Sequence, residues 1–227
     1  MIKYIVCLLL FSLIGRIYAQ VTFQHSIGVG LTSKGIQSNY FVRSDSSRWS
    51  YGIRALGYGY KKTHNFQTGG ESFVLVEPAI QKVQIDGLVR FWPFAQKNWI
   101  NLDMGLGYDI FPTYAATIST PTGILLNNLE ITSENFGSID MNLKWNKFLP
   151  FFGVNFDKKI FQDKFNLGFD LGAYYLGKPK LDIQYDGFLE SIEVESEIQK
   201  IEKNLSHYNY YPFLGFRLNY NWNRNEK

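Results

Sequence analysis

Residues 165–177 read FNLGFDLGAYYLG. Phe165, Leu167, Phe169, Leu171, Ala173 and Tyr175 fall on one parity, and Asn166, Gly168, Asp170 and Gly172 on the other. Side chains on a strand point alternately to its two faces, so this stretch is a strand with one wholly apolar face and one small or polar face that carries a carboxylate. In a water-soluble sandwich the apolar face would line a core. In a barrel that crosses a membrane it would meet lipid, and the polar face would meet the lumen. One strand does not choose between these arrangements, so the choice rests on whether the pattern recurs.

It recurs through most of the 227 residues. Phe23, His25, Ile27, Val29 and Leu31 alternate with Gln24, Ser26, Gly28 and Gly30, and this first strand either continues or folds back through Ile36 to Arg43. Trp49–Lys61 is a second, and Ser72–Phe94 is a long extended stretch interrupted at Pro78. Ile100–Ile110 alternates most cleanly: Leu102, Met104, Leu106 and Tyr108 oppose Asn101, Asp103, Gly105, Gly107 and Asp109. Gly137–Trp145, then Phe152, Val154 and Phe156, and finally Leu214–Trp222 repeat the pattern, with a Thr-rich connection at 111–130 that has room for a small hairpin. Between about 188 and 206 the period changes. Val194, Ile198, Ile201 and Leu205 are spaced as one face of a helix, either a solvated helix in a loop or one resting its apolar stripe on the barrel or membrane surface.

The first 19 residues read as an export signal. Lys3 supplies the positive start, Ile5–Ile14 the apolar run, and Ala19 a small residue before the cleavage point at Gln20. The run is too short to span a bilayer and is broken by Gly15 and Arg16. Cleavage removes Cys7, the only cysteine, so no disulfide is possible. It also removes Lys3 and Arg16, so that 21 basic residues face 20 acidic ones. That balance argues against a nucleic-acid partner. Beyond residue 19 no apolar run is long enough for a membrane helix.

Collecting the residues opposite the apolar parity gives Asp86, Arg90, Asp103, Asp109, Asp140, Lys144, Asp170 and Arg217, together with several Asn and many Gly. A barrel of about eight strands has an interior just wide enough for side chains. In lipid, a polar interior behind a clean apolar exterior is the workable arrangement, because a closed ladder satisfies every backbone group. The expected fold is therefore all-β, an antiparallel up-and-down transmembrane β-barrel of about eight strands, over residues 20–223. One amphipathic helical insertion precedes the last strand, and a tail follows at 224–227. Asp86, Arg90, Asp103, Asp140, Lys144, Asp170 and Arg217 form the expected lumen charge network, with Asp170 and Arg217 brought together on neighbouring strands. An eight-strand count that treats 23–43 as one strand has a difficulty: it puts the short turns at 44–47, 93–98 and 146–148 at the extracellular end, where long loops are usual.

The second half also resembles a widespread set of small Gram-negative outer-membrane β-barrel proteins, of the OmpW/OmpA-like class. The resemblance is carried by Asp86 with Pro93-Phe94, Gly107-Tyr108, Pro150-Phe151-Phe152-Gly153, Phe169-Asp170-Leu171-Gly172 with Gly177 and Pro179, and Tyr211-Pro212. It covers about 60% of the chain and implies an outer-membrane location, with outer-membrane lipid and the barrel-assembly machinery as partners. It carries no established activity, so no catalytic residue, metal or cofactor is expected.

Enzyme chemistry finds no support in the residues. His25-Ser26 are adjacent on a strand and point to opposite faces, so they cannot form the nucleophile–base pair of a lipid-modifying enzyme. The Gly-x-Gly pieces at 28–30, 57–59 and 105–107 lie inside strands rather than before helices, and are better explained as relief of crowding in a narrow lumen or as sites of barrel bends. The expected role is structural or interactive with a mostly plugged polar lumen; the alternative is a conduit for small or apolar solutes.

Overall fold

The computed structural model of the protein describes residues 23–224, apart from 70–71, 95–98, 123, 127–128, 134–136, 162–163, 187–194 and 206. The expected signal at 1–19, most of the tail at 224–227 and the first part of the expected helical insertion lie outside the described residues. Eight strands close on themselves: β1 (Phe23–Thr32), β2 (Gly35–Ser44), β3 (Trp49–Lys61), β5 (Ser72–Phe91), β6 (Ile100–Asp109), β11 (Phe148–Ile160), β12 (Phe165–Tyr175) and β14 (Tyr210–Arg224). Each pairs antiparallel with the next, and β14 returns to β1 over the whole of β1, from Phe23 opposite Arg224 to Thr32 opposite Gly215. The ten-residue strands β1, β2 and β6 match the 9–11 tilted residues that cross a bilayer core.

The split of the first stretch has a local cause. Gly35 has φ +100°, a conformation that suits glycine and few other residues. Thr32 Oγ1 accepts from the Lys34 backbone N–H at 3.0 Å and closes the turn. The chain therefore folds back at Ser33-Lys34, and 23–43 is two barrel strands rather than one.

A second correction keeps the count at eight. Gly137–Trp145, expected as a barrel wall, becomes β10 (Ser138–Lys144), which among the described residues pairs with β7 (Thr113–Ser119) and β13 (Lys180–Tyr185) and with no barrel strand. These three strands and β4 (His64–Gly69) extend the upper half of β5, and a small hairpin, β8 (Ile124–Leu126) with β9 (Leu129–Ile131), lies beside it. Helix α1 (Glu195–Leu205) precedes β14, and Glu202 Oε1 accepts from the Leu181 backbone N–H of β13 at 2.8 Å. With both changes, the connections at 45–48, 92–99 and 161–164 lie at the end that holds the chain termini. The long connections lie at the other end, so the difficulty over the short turns disappears.

Strand β5 spans 20 residues, about 66 Å at strand rise. That is roughly twice the thickness of a bilayer core. Its lower half pairs with β3 and β6, its upper half with β4 and β7. Pro78, which has no N–H to give, falls where the partner on one side changes from β3 to β4. Just below that level, between Ile80 and Lys82, the inward parity changes from apolar to polar. Lys82, Gln84, Asp86 and Arg90 point inward and are buried, whereas Val74, Val76 and Ile80 occupy the same parity above them. Above Lys82 that parity is therefore apolar, and from Lys82 down it is mostly polar.

Closure makes a prediction about register. Val29 and Leu218 are directly opposed across the β1–β14 seam. In residues 20–227, Val29→Cys with Leu218→Cys should oxidise to a disulfide in folded protein and not in urea-unfolded protein. Leu31→Cys with Leu218→Cys, off register by two, should cross-link poorly. Equal cross-linking of both pairs would contradict the seam.

Candidate functional site

The interior of the barrel is ordered by the ladder itself. Arg90 of β5 is directly opposite Asp103 of β6, and Arg54 of β3 directly opposite Asp86 of β5. Cross-strand neighbours on one face lie close enough for side chains to meet, so the register places each cation beside its anion.

Three layers result. Nearest the chain termini, Arg90 grips Asp103 with Nε–Oδ1 2.7 Å and Nη2–Oδ2 2.8 Å. Arg217 of β14 donates from Nη2 to Asp157 Oδ1 of β11 at 2.6 Å and is also ion-paired with Asp170 of β12. Asn101 donates to Asp157 Oδ2 at 2.7 Å, and Asn155 to Asn101 at 2.7 Å. The middle layer centres on Arg54, whose Nε lies 2.8 Å from Asp86 Oδ2 and whose Nη2 donates to the Tyr174 hydroxyl at 2.6 Å. That hydroxyl donates in turn to Asp86 at 2.6 Å, which also accepts from the Gln84 amide. The guanidinium lies 4.5 Å from the ring centroids of both Phe151 and Phe213, a cation held between two aromatic faces. Above it, Lys34 donates to Gln84 at 2.8 Å with its ammonium 3.5 Å from the Tyr174 ring centre. Lys82 pairs with Asp109 at 2.8 Å and donates to the Tyr114 hydroxyl of β7 at 3.1 Å. Burial pushes the Tyr114 phenol above its ordinary value, while the Lys82 ammonium pulls the other way.

Among the described residues, the buried charges of the lumen are five cations, Lys34, Arg54, Lys82, Arg90 and Arg217, and five anions, Asp86, Asp103, Asp109, Asp157 and Asp170. Arg43, Asp45 and Lys159 also line the lumen nearer the chain termini, so the five-to-five balance holds for the buried groups alone. Among them sits an apolar cluster of Phe41, Leu56, Leu88, Leu149, Phe151, Tyr174, Leu176 and Phe213. Glycines make the room. The Phe151 ring covers the opposed pair Gly153 and Gly172, where a Cβ would approach it to 2.8 Å, and Gly168 lies under the Arg217 guanidinium. Towards the chain termini a polar cavity of about 230 Å³ remains, lined by Gln24, Ser26, Ser50, Trp92, Asn166 and Asn221 among others.

Of the residues expected in the lumen network, Asp86, Arg90, Asp103, Asp170 and Arg217 lie inside the barrel, and Asp170 meets Arg217. Asp140 and Lys144 do not. Both are on β10, outside the barrel, where Asp140 accepts from Thr117 Oγ1 at 2.6 Å. Lys144 pairs with Asp182 at 3.2 Å, its side chain 64% exposed. Their alternation belongs to a sheet outside the barrel, whose strands have the same period of two as a barrel wall. Arg54, Lys82 and Asp157 were legible as inward-parity charges but were not assigned; Lys34 sits in a turn, where no periodicity marks it. His25 and Ser26 part as expected: the His25 imidazole stacks on Trp222 and bonds to the Tyr40 hydroxyl at 2.8 Å, while Ser26 lines the cavity. Among the described residues no group of three or more His, Cys, Asp or Glu could hold a metal ion.

Neither a protein-family model nor a curated protein sequence matches the chain. Solved structures do. The crystal structure of CarO from Acinetobacter baumannii matches with TM-score 0.51 and 18% identity, covering 87% of this chain and 97% of that one. CarO2 from the same organism matches with TM-score 0.52 and 16% identity, covering 89% and 100%. A major outer membrane protein from Thermus thermophilus shares 12% identity over 89% of this chain and 99% of that one, at TM-score 0.45. The first two, at TM-scores above 0.5, share the β-barrel fold of this chain.

Two outcomes test the interior. Arg217 is shared by two carboxylates, so Arg217→Gln should destabilise the folded barrel by about 3–5 kcal/mol, and Asp170→Asn by less, since Asp157 remains as partner. The double variant should lose less than the sum, read as shifts in urea midpoint; strict additivity would mean the two do not interact. Gly172→Val should displace the Phe151 ring and cost about 1–3 kcal/mol in the same assay, whereas Gly59→Val, with open space around it, should cost well under that.

Proposed function

We propose that the protein is an integral outer-membrane barrel, exported behind residues 1–19. Its lumen is filled by its own side chains, and its role is structural or interactive rather than catalytic. The observation that carries this reading is the middle layer: Arg54 between Phe151 and Phe213, tied to Asp86 and Tyr174, with Tyr174, Phe213 and Asp86 each 0% exposed. A solute travelling along the axis would have to separate a buried ion pair and two rings at once.

The membrane location rests on the outward face. Ile27, Val29 and Leu31, then Tyr51 and Ile53, then Phe216 and Leu218 form an exposed apolar belt too extensive for a protein in water. The end that holds the termini would face the periplasm. The upper half of β5, with β4, β7, β10, β13 and α1, would stand outside the cell as the surface available for interaction. Outer-membrane lipid and the assembly machinery are the partners this reading requires. A conduit for small solutes is the competing reading, favoured only by the polar cavity at the terminal end, which stops against the Arg90–Asp103 and Arg217–Asp157 layer.

Reconstitution in planar bilayers tests the proposal. The protein should give no discrete, reproducible conductance steps, while remaining heat-modifiable on gels as evidence that it is folded. Regular unitary steps from folded protein would establish the conduit instead. On fractionation the mature protein should leave the outer membrane only with detergent; recovery in the soluble periplasmic fraction would overturn the location.

A further inference from the structure

The outward face of the eight barrel strands is apolar, aromatic or small almost without break. Short of the strand ends, one charged side chain lies within that belt among the described residues, Lys158 of β11. The other outward lysine of a barrel strand, Lys61, is the last residue of β3 and lies opposite Ala79, above the level where β5 inverts its polarity. Lys158 is opposite Leu167, one rung inside the Ile160–Phe165 pair that ends the β11–β12 ladder. Among the described residues it has no ion pair or hydrogen bond. A lysine facing hydrocarbon is costly at mid-bilayer and nearly free at the interface, so its place marks the headgroup level on the side of the chain termini.

Beside Lys158 the barrel surface is grooved. Trp99, Phe156, Leu167, Phe169 and Phe216 line a depression of about 760 Å³. Phe156 and Phe169 are directly opposed, and Phe169 and Phe216 are opposed across the next ladder. The row of three rings therefore lies one rung deeper in the bilayer than Lys158. Their contacts are close: the Phe169 and Phe216 centroids are 4.9 Å apart, and Trp99 lies 6.1 Å from Phe156. A cation at headgroup depth and an apolar trough leading inward from it are the two halves of one ligand.

We propose that this groove holds a single anionic glycerophospholipid of the leaflet on the terminal side, its phosphate at Lys158 and one acyl chain along Phe156, Phe169 and Phe216. The inference rests on the membrane reading above, which fails separately: a protein that does not insert into vesicles at all refutes that reading before any lipid is counted. The chemistry favours an anionic headgroup over a zwitterionic one, because Lys158 brings an uncompensated positive charge. One lysine at a membrane surface is worth about a fivefold preference for the anionic lipid.

The test is native mass spectrometry of the folded protein released from vesicles of dioleoylphosphatidylglycerol mixed equally with dioleoylphosphatidylcholine. Wild type should retain one phosphatidylglycerol in about fivefold excess over phosphatidylcholine. Lys158→Gln should bring the ratio close to one, while Lys164→Gln, an equal loss of charge at an exposed position just before β12, should leave it unchanged. Leu167→Trp, which fills the trough from an outward position, should reduce retention of both lipids. Equal retention of the two lipids by wild type would overturn the proposal, as would an unaltered preference in Lys158→Gln or an equal effect of Lys164→Gln.

Discussion

The β1–β14 ladder is the constraint on which the rest of the structure depends. Ten residues of the first strand are opposed by ten of the last, and this leaves the eight-strand ring without an edge. In hydrocarbon an unpaired backbone N–H or C=O has no water to turn to, so a sheet that did not close could not stand there. Closure at eight strands then fixes the width of the interior, which has room for side chains and little else. Inward glycines answer that narrowness by making room for large side chains, as Gly168 does under Arg217 and Gly172 under Phe151.

Charges inside such a barrel are not there for stability alone. A buried ion pair is often matched by well-packed apolar groups, but leaving one of its members unpaired is severe. The arrangement of Arg54 opposite Asp86 and Arg90 opposite Asp103 therefore acts on register. A slip of one residue on any strand would turn its cation outward into lipid and strand its anion inside. The apolar cluster around Phe151, Tyr174 and Phe213 fills the space between the ion pairs. The two kinds of group are joined at Arg54, which belongs to both.

Much of this was legible in the sequence, for a physical reason. Period two with an unbroken apolar parity reports a strand between two unlike media, and β6, β12 and β14 stand where that period puts them. Asp170 and Arg217 were found together because inward parity on neighbouring strands leaves few places for a counter-charge. What was not legible is which strands share a ring. Ser138–Lys144 has the same alternation as a barrel wall and belongs to a sheet above it, so Asp140 and Lys144 were placed in a lumen they do not enter. The turn at Ser33-Lys34 is two residues long and depends on Gly35, too little signal to divide a strand by periodicity alone. Lys34 was invisible for the same reason, since a turn residue has no parity. On β5 the inversion of polarity above Lys82 was present in the residues and became meaningful only once the partner strands on each side were known.

The central claim is that the eight strands form an inside-out barrel in lipid whose upper sheet has left the membrane. Nitroxide scanning of the folded protein in vesicles addresses it most directly. Labels placed singly from Leu214 to Trp222 should show oxygen accessibility with period two, highest at 214, 216, 218 and 220. Labels along β5 should show the same on odd positions from Val83 to Phe91, and should lose the lipid signature above residue 80. Uniform accessibility along β14, maxima at even positions on β5, or a lipid signature continuing to Ser72 would contradict the account.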